Sequence, residues 1–191
     1  MRKITLDIET TLPAFGAAFD PRQMELTVVS VHDSESGVFT CYTVPELPNL
    51  WPVLEKADML IGYNSNHFDI PILNRYYPGD LSSIHSVDLL FEIKNVLGRR
   101  LKLDSIAEAT LGRKKIGTGL DAVAWWRNGE YDKVKKYCIE DVRITKDIYD
   151  YARTNAKLHY LDLGEKRDIL LDTSRWEMPE VKGALTHTLP F

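Results

Sequence analysis

Cysteine is scarce in this sequence, with Cys41 and Cys138 the two examples among 191 residues. Their separation fits neither a zinc-ligand spacing nor a disulfide framework, which excludes a zinc finger and a small disulfide-stapled protein. Both thiols are expected to be small buried groups in a reducing cytoplasm. The sequence also has no internal repeat and no low-complexity segment, which argues against a solenoid or a disordered linker.

Long apolar runs are lacking as well. No stretch reaches the roughly 18 apolar residues of a membrane-spanning helix, so we expect no membrane partner. The first residues lead directly into a strand pattern, so we expect no secretory signal and a cytoplasmic location. The composition, with 44% hydrophobic and 27% charged residues, is that of a globular domain with a sizeable core.

An overall excess of positive charge is also missing, because the formal net charge is −4. This argues against a protein that binds nucleic acid through bulk charge alone. Basic residues are nevertheless concentrated in segment 94–115, which has seven of them against two acidic residues, a local charge of +5. The segment is either a solvated face or a track for phosphates.

The first ten residues alternate between apolar and polar side chains. In a β-strand, Ile4, Leu6 and Ile8 would lie on one face, and Asp7 and Glu9 would project from the other, ~7 Å apart. Two interpretations follow. The stretch is either an edge strand with a polar outer face or a strand that brings two carboxylates to one cation.

The remaining pattern predicts an α/β fold. Further strands are expected at 26–31, 38–44 and 59–63, and helices at 50–57, 67–77, 87–97, 103–111, 120–127 and 131–156. The first three strands would form an antiparallel meander, and the order of elements predicts a mixed sheet flanked by helices. A hairpin is expected at 160–163 and 168–171. We expect one domain over 1–157 and a C-terminal hairpin and tail over 158–191 that pack on it.

Two more segments carry polar residues where chemistry is often found. Asp69 follows a strand end and begins a helix, a position that suits ligand binding, although acidic residues also favour first turns of helices. Tyr137 and Asp141 are four residues apart on the long helix and share a face. They could bind a metal and orient a water, or they could be a tyrosine packed on the sheet beside a surface aspartate.

Together and in this order, these segments resemble the motifs of the DEDD superfamily of 3′–5′ exonucleases, which have a ribonuclease-H-like fold. The Asp-x-Glu motif corresponds to Asp7 and Glu9, the second motif to Asn64–Asp69, and the Tyr-x-x-x-Asp motif to Tyr137 and Asp141. A lysine directly before Tyr137, where the histidine subclass has histidine, favours the tyrosine subclass. The motifs are most similar to those of the proofreading exonuclease domain of family B DNA polymerases and of stand-alone relatives.

The resemblance implies a hydrolase that removes nucleoside monophosphates from the 3′ end of single-stranded DNA, or of RNA. Its cofactors would be two divalent cations, Mg²⁺ or Mn²⁺, which oxygen ligands favour. Asp7, Glu9, Asp69 and Asp141 would bind them. Tyr137 would orient the attacking water, because a phenol with a pKa near 10 is a poor base at neutral pH. Whether a protein partner exists stays open.

Substrate contacts are expected near these motifs. Phe68 would stack on a terminal base or belong to the core, and Leu12 would wedge against the terminal nucleotide. Asn64 would hydrogen-bond the strand or satisfy the backbone at a strand end. Further candidate contacts are Thr10 and, for phosphates, Arg99, Arg100, Arg113, Lys114 and Lys115.

Three other functions are compatible with the same fold. The chain could be a non-catalytic nucleic-acid-binding module, an accessory domain in a replication or repair assembly, or a structure-selective endonuclease. Circular single-stranded DNA distinguishes the last of these, because an exonuclease leaves it intact.

Overall fold

The structure of the protein, a computed structural model, describes residues 1–12, 23–113 and 117–178. The strands of the described residues are β1 (Lys3–Thr10), β2 (Leu26–Asp33), β3 (Phe39–Thr43), β4 (Met59–Gly62), β5 (Ser86–Asp88), β6 (Lys157–Asp162) and β7 (Glu165–Leu170). The α-helices are α1 (Leu47–Glu55), α2 (Asp69–Leu73), α3 (Leu89–Leu97), α4 (Leu103–Leu111), α5 (Gly119–Arg127) and α6 (Tyr131–Asn155).

Five strands form a mixed sheet in the order β3-β2-β1-β4-β5. The first three strands pair antiparallel, and β4 and β5 continue the sheet in parallel with β1. This confirms the predicted mixed sheet with an antiparallel first half. The edge-strand interpretation of the N-terminal stretch is wrong, because β1 lies at the centre of the sheet.

The fifth strand, β5, is not among the strands predicted from the sequence. Val87, which is expected to begin a helix, instead lies in β5 and pairs with Ile61 of β4. Helix α3 begins only at Leu89, because the Asp88 side chain accepts hydrogen bonds from the backbone of Leu90 and Phe91 and so caps the helix. In the sequence, an acidic cap directly after a short strand has the same pattern as the first turn of the helix that it begins.

Two other predicted elements differ in extent. The helix expected at 67–77 is α-helical only over α2, because beyond Leu73 the backbone amides of Arg75 and Tyr76 donate to the third residue back and tighten the chain into turns. The C-terminal hairpin starts earlier than expected, because its two-residue turn is made by Leu163 and Gly164, both with positive φ, rather than by residues 164–166.

The two faces of β1 pack on different helices. Ile4, Leu6 and Ile8 belong to the core that includes Leu50 of α1 and Ile72 of α2. The opposite face, which carries Asp7 and Glu9, is covered by α6, which packs across β1 and β2. The alternation of the first ten residues therefore directs the carboxylates toward α6.

A second core lies between the parallel half of the sheet and the later helices. It joins Ile61 of β4 and Ile93 of α3 to Ile148 of α6, and it includes Leu158 and Ile169 of the hairpin. None of the helices within the described ranges has both the length and the apolar content needed to cross a membrane.

Candidate active site

The two carboxylates of β1 lie together against α6. Asp7, Glu9 and Cys138 each offer one potential ligand atom, and these atoms lie within 4.8 Å of one another. The Cys138 thiol donates toward the backbone oxygen of Asp7 at 3.4 Å and toward its carboxylate Oδ2 at 3.5 Å. Helix α6 therefore helps to fix the side chain of Asp7, which is half-buried, beside the buried Glu9.

Asp69, the first residue of α2, reaches the same part of β1. The pairing of β1 with β4 ends at Thr5, so β4 offers no ladder partner to the backbone at Ile8. The Asp69 carboxylate Oδ1 accepts the hydrogen bond from the Ile8 amide instead, at 3.1 Å. Its carboxyl group thus lies against the backbone segment that joins Asp7 to Glu9.

The environment of Asp69 disfavours its ionised form. Burial raises the pKa of the Asp69 carboxyl group to about 8, and the negative charge of Asp88 also raises it, whereas the hydrogen bond from Ile8 opposes the shift. A carboxyl group in this position ionises readily only when positive charge is brought next to it.

Tyr137 and Asp141 flank Cys138 on α6. Both are buried, with 4% of each residue exposed. Trp125 of α5 packs edge-on against the Tyr137 ring, with 6.1 Å between ring centroids, and so restricts its orientation. Asp141 lies one turn after Cys138 on the side of α6 that packs on the sheet, because residues three apart share a helix face.

Three predicted substrate residues line one cavity with a carboxylate of the site. Thr10, Leu12 and Phe68 border a cavity of about 530 Å³ together with Glu9. Leu12 is 41% exposed, and Phe68 is half-buried, so apolar surface is available to a base there. The cavity therefore offers apolar surface directly beside a carboxylate.

A second cavity, of about 580 Å³, adjoins the first and contains Tyr137, Asn64 and Arg100. Arg100 donates from Nη2 to Asn64 Oδ1 at 2.6 Å. Asn64 has a φ of 68°, a left-handed conformation that asparagine tolerates well. Lys102 lines both cavities and places a second cation at their junction.

Two of the predicted phosphate contacts lie elsewhere. Arg99 pairs with Asp162 of the hairpin at 3.4 Å and lies over the Tyr160 ring at 5.3 Å. Arg113 pairs with Asp147, on the C-terminal half of α6, at 2.5 Å. The structure does not bring either guanidinium to the carboxylates. The predictions for Lys114 and Lys115 fall outside the described residues.

Asp88 is a residue of the site that the sequence analysis missed. Its carboxylate accepts hydrogen bonds from the backbone amides of Asn64 at 2.8 Å and Asn66 at 3.1 Å, and it also caps α3 through Leu90 and Phe91. One side chain therefore ties the loop before Asp69 to the edge of the sheet. An acidic residue immediately before an apolar helix was the signal that could have identified it.

The loop that Asp88 holds also depends on a glycine. A Cβ atom on Gly62 would lie 2.3 Å from the Cβ of Ser65, too close for any side chain. The chain can therefore turn sharply from β4 toward Asp69 only because position 62 has no side chain.

The donor set fits Mg²⁺ or Mn²⁺. Asp7 and Glu9 offer carboxylate oxygens, the ligands that such hard cations prefer. A cation would also favour ionisation of the Asp69 carboxyl group. Burial raises the pKa of the Cys138 thiol well above its ordinary value, and the neighbouring carboxylates raise it further, so this group serves as a hydrogen-bond donor rather than a thiolate ligand.

Comparison with known proteins agrees with this fold. The family B DNA polymerase from the hyperthermophilic archaeon Pyrobaculum calidifontis superposes on 80% of this chain with a TM-score of 0.63 and 19% sequence identity. The replicase polyprotein of Cricket paralysis virus is 35% identical over 99 residues, 47% of this chain. The chain spans 24% of that polymerase chain and 5% of that polyprotein.

The fold is thus of the ribonuclease-H-like α/β class. The model of the RNase H superfamily matches residues 4–153, and the chain belongs to that superfamily. Most members of the superfamily are nucleases. The assignment to the DEDD tyrosine subclass stays a prediction.

Proposed function

We propose that this chain is a metal-dependent 3′–5′ exonuclease that hydrolyses phosphodiester bonds at the 3′ ends of single-stranded nucleic acids. We propose DNA as the preferred substrate and RNA as a second one. The observation that supports the proposal most is the arrangement around β1. Asp7 and Glu9 lie together against α6 at Cys138, between Tyr137 and Asp141, while Asp69 binds the backbone between the two carboxylates. Carboxylates from β1 and α2 therefore lie on one stretch of β1, and Asp141 follows Cys138 by one turn of α6.

Asp7, Glu9, Asp69 and Asp141 would hold Mg²⁺ or Mn²⁺. When bound, a pair of these cations neutralises charge at the phosphate and lowers the pKa of the attacking water. Tyr137, held by Trp125, would orient that water through its hydroxyl group rather than remove a proton.

The two cavities suggest how the strand end would lie. The cavity with Leu12 and Phe68 offers apolar contacts to the terminal base, and it is bordered by Glu9. The cavity with Arg100 and Asn64 is bordered by Tyr137 and offers positive charge to a phosphate. A single strand whose end enters the first cavity would bring its last phosphodiester next to the carboxylates.

A gel assay tests the proposal. Single-stranded DNA and RNA, each labelled at the 5′ end, are incubated with Mg²⁺, Mn²⁺ or EDTA and the wild type, Asp7→Asn or Asp132→Asn. Asp132 is an exposed acidic residue in the first turn of α6 and gives a matched control. We expect a metal-dependent ladder that shortens from the 3′ end with wild type and Asp132→Asn, and none with Asp7→Asn.

Circular single-stranded DNA separates the competing functions. The proposal predicts that the circle stays intact under conditions in which the linear strand is degraded. Cleavage of the circle would instead identify an endonuclease. Strand binding by a folded wild type without any cleavage in Mn²⁺ would identify a non-catalytic binding module and overturn the proposal.

A further inference from the structure

The cavities at the candidate active site continue across the surface as a groove. Beyond the two already described lie a cavity of about 290 Å³ and one of about 690 Å³. Each cavity shares lining residues with the next. Lys102 borders the first and second, Arg100 the second and third, and Phe91 the third and fourth. The groove therefore leads from Glu9, past Tyr137, toward the edge of the sheet at β5.

Phe91 is an exposed aromatic ring in the wall of this groove. It is 56% exposed, although its neighbours Leu89, Leu90 and Ile93 on α3 are buried in or against the core. The core does not bury the Phe91 ring, so the ring is available to whatever enters the groove. An aromatic ring presented to a groove is a surface on which an unstacked base can lie.

Positive charge accompanies the ring. Lys94 follows Phe91 by three residues, lies on the same face of α3 and lines the same cavity as Arg100. The Asp88 carboxylate that borders this cavity accepts hydrogen bonds from backbone amides of the Asn64 loop and of α3. Its charge is therefore engaged by the fold, and the cations remain to attract phosphates.

We propose that Phe91, Lys94 and Arg100 form a binding site for the single strand upstream of its 3′ end, a proposal that rests on the proposed function. A base from the strand would stack on Phe91, and the flanking phosphates would contact Lys94 and Arg100. A paired base could not lie on the ring, because its faces are covered by its neighbours in the duplex. The site therefore selects single strands and holds them while successive nucleotides are removed.

The test compares substrates of different length. Degradation of a dinucleotide and of a dodecamer of deoxythymidine is measured for wild type, Phe91→Ala and Lys94→Gln. Stacking of one base on an aromatic side chain is worth at least about fivefold in affinity, so we expect KM for the dodecamer to rise by that factor or more. Phe91 lines the third cavity along the groove from Glu9, so we expect a dinucleotide bound at Glu9 to end before the ring and its kcat/KM to be unchanged.

Two further variants control for packing. Val96 is also on α3 and is 49% exposed, but it does not line the groove cavities among the described residues, so Val96→Ala should behave as wild type. Phe91→Trp should restore dodecamer binding, because a larger ring also stacks. An equal loss on both substrates, or no loss on either, would overturn the proposal.

Binding measured without cleavage separates this inference from the proposed function. Fluorescence anisotropy of a labelled dodecamer is recorded with Asp7→Asn alone and with Asp7→Asn combined with Phe91→Ala. Weaker binding by the double variant supports the groove, even if the wild type proves unable to cleave. Cleavage by the wild type together with unchanged binding by the double variant would reject the groove and leave the exonuclease in place.

Discussion

The acidic residues of the candidate active site and the basic residues of segment 94–115 differ in how their spacing along the sequence relates to their positions in the structure. Asp7 and Glu9 of β1 and Asp69 of α2 come from distant parts of the sequence, yet the fold brings all three to one stretch of β1. The described basic residues of segment 94–115 are close in sequence, but the structure divides them: Lys94, Arg100 and Lys102 line the cavities at the candidate site, whereas Arg99 and Arg113 pair with acidic residues elsewhere. Proximity in sequence is therefore a poor guide to shared function, whereas position in the topology is a good one.

The adjacent arginines show how the basic segment divides. Helix α3 ends at Leu97, and Gly98 takes a left-handed conformation that turns the chain. Arg99 then points to Asp162 on the hairpin, and Arg100 points to Asn64 at the candidate active site. The prediction of a phosphate track therefore stays a prediction for Arg100, whereas Arg99 is engaged by the hairpin.

Among the variants that test this comparison, Asp69→Asn should have the largest effect, which is a loss of catalytic rate. The amide oxygen can still accept the hydrogen bond from Ile8, so the fold should be kept, but a carboxylate for the cations is lost. We expect kcat to fall by roughly a thousandfold, since a bound cation contributes several kcal/mol of charge stabilisation. Rates are measured on single-stranded DNA, and thermal unfolding is followed for the same samples. Activity within tenfold of wild type would place Asp69 outside the cation site.

Asp88→Ala should have the next largest effect, through stability. It leaves the amides of Asn64, Asn66, Leu90 and Phe91 without their acceptor, for a loss of about 2–4 kcal/mol in the free energy of unfolding. Asp88→Asn keeps one acceptor oxygen and should lose less. Urea unfolding measures both. Equal losses for the two variants would mean that the hydrogen bonds to the loop contribute little.

The paired variants Arg100→Ala and Arg99→Ala sharpen the comparison within the basic segment. Arg100→Ala should raise KM for a single strand by about tenfold and lower the salt dependence of binding by about one charge. Arg99→Ala should leave both unchanged, because its partners are on the hairpin, and should cost less than about 1 kcal/mol in stability. The prediction fails if the two variants bind the strand equally weakly.

The smallest expected effect is on the pH dependence of stability, and it arises from a third group of charged residues, centred on Glu177. The Glu177 carboxylate accepts hydrogen bonds from Lys3 of β1 at 2.7 Å and from Tyr149 and Arg153 of α6 at 2.8 and 3.2 Å. The hydrogen bond from Lys3, with those from its other partners, lowers the pKa of Glu177 to about 2, from an ordinary value of 4.5. This group therefore stabilises the fold above pH 4.5, and the stabilisation is lost as the pH falls from 4.5 toward 2.

The size of the Glu177 effect is limited by its 31% exposure, so we expect about 1 kcal/mol between pH 6 and pH 3. Chemical unfolding of wild type and Glu177→Gln over this range measures it. The difference in stability between the two proteins should shrink as the pH falls. A difference that stays constant would show that the ionised carboxylate is not the stabilising form.

The sequence predicted those features that depend on local pattern. The alternation in β1 identified its buried face, and helical spacing identified α6 and the shared face of Tyr137 and Asp141. Helix α3 was placed correctly at its end, where Gly98 stops it, but not at its start. In sequence alone, the three-residue strand β5 and the cap Asp88 have the same pattern as a first helical turn. They can be distinguished only when the pairing of β5 with β4 is known.

The features that the sequence did not predict depend on contacts between distant segments. The role of Asp88 arises from backbone amides of a loop 22 and 24 residues earlier. The contact of Cys138 with Asp7 spans 131 residues, and no local pattern distinguishes this thiol from an ordinary buried cysteine. Arg99 pairs with Asp162 of the β6–β7 hairpin, and the position of Asp162 depends on the strand register that the turn of the hairpin fixes.

The most direct test of the central claim, that carboxylates from distant elements form one cation centre, is a titration with Mn²⁺. Binding is followed by electron paramagnetic resonance in the presence of a single strand with a non-hydrolysable 3′ linkage. We predict about two Mn²⁺ per chain for wild type and Asp132→Asn, and loss of this binding in Asp7→Asn, Asp69→Asn and Asp141→Asn alike. Undiminished Mn²⁺ binding in these three variants would contradict the account.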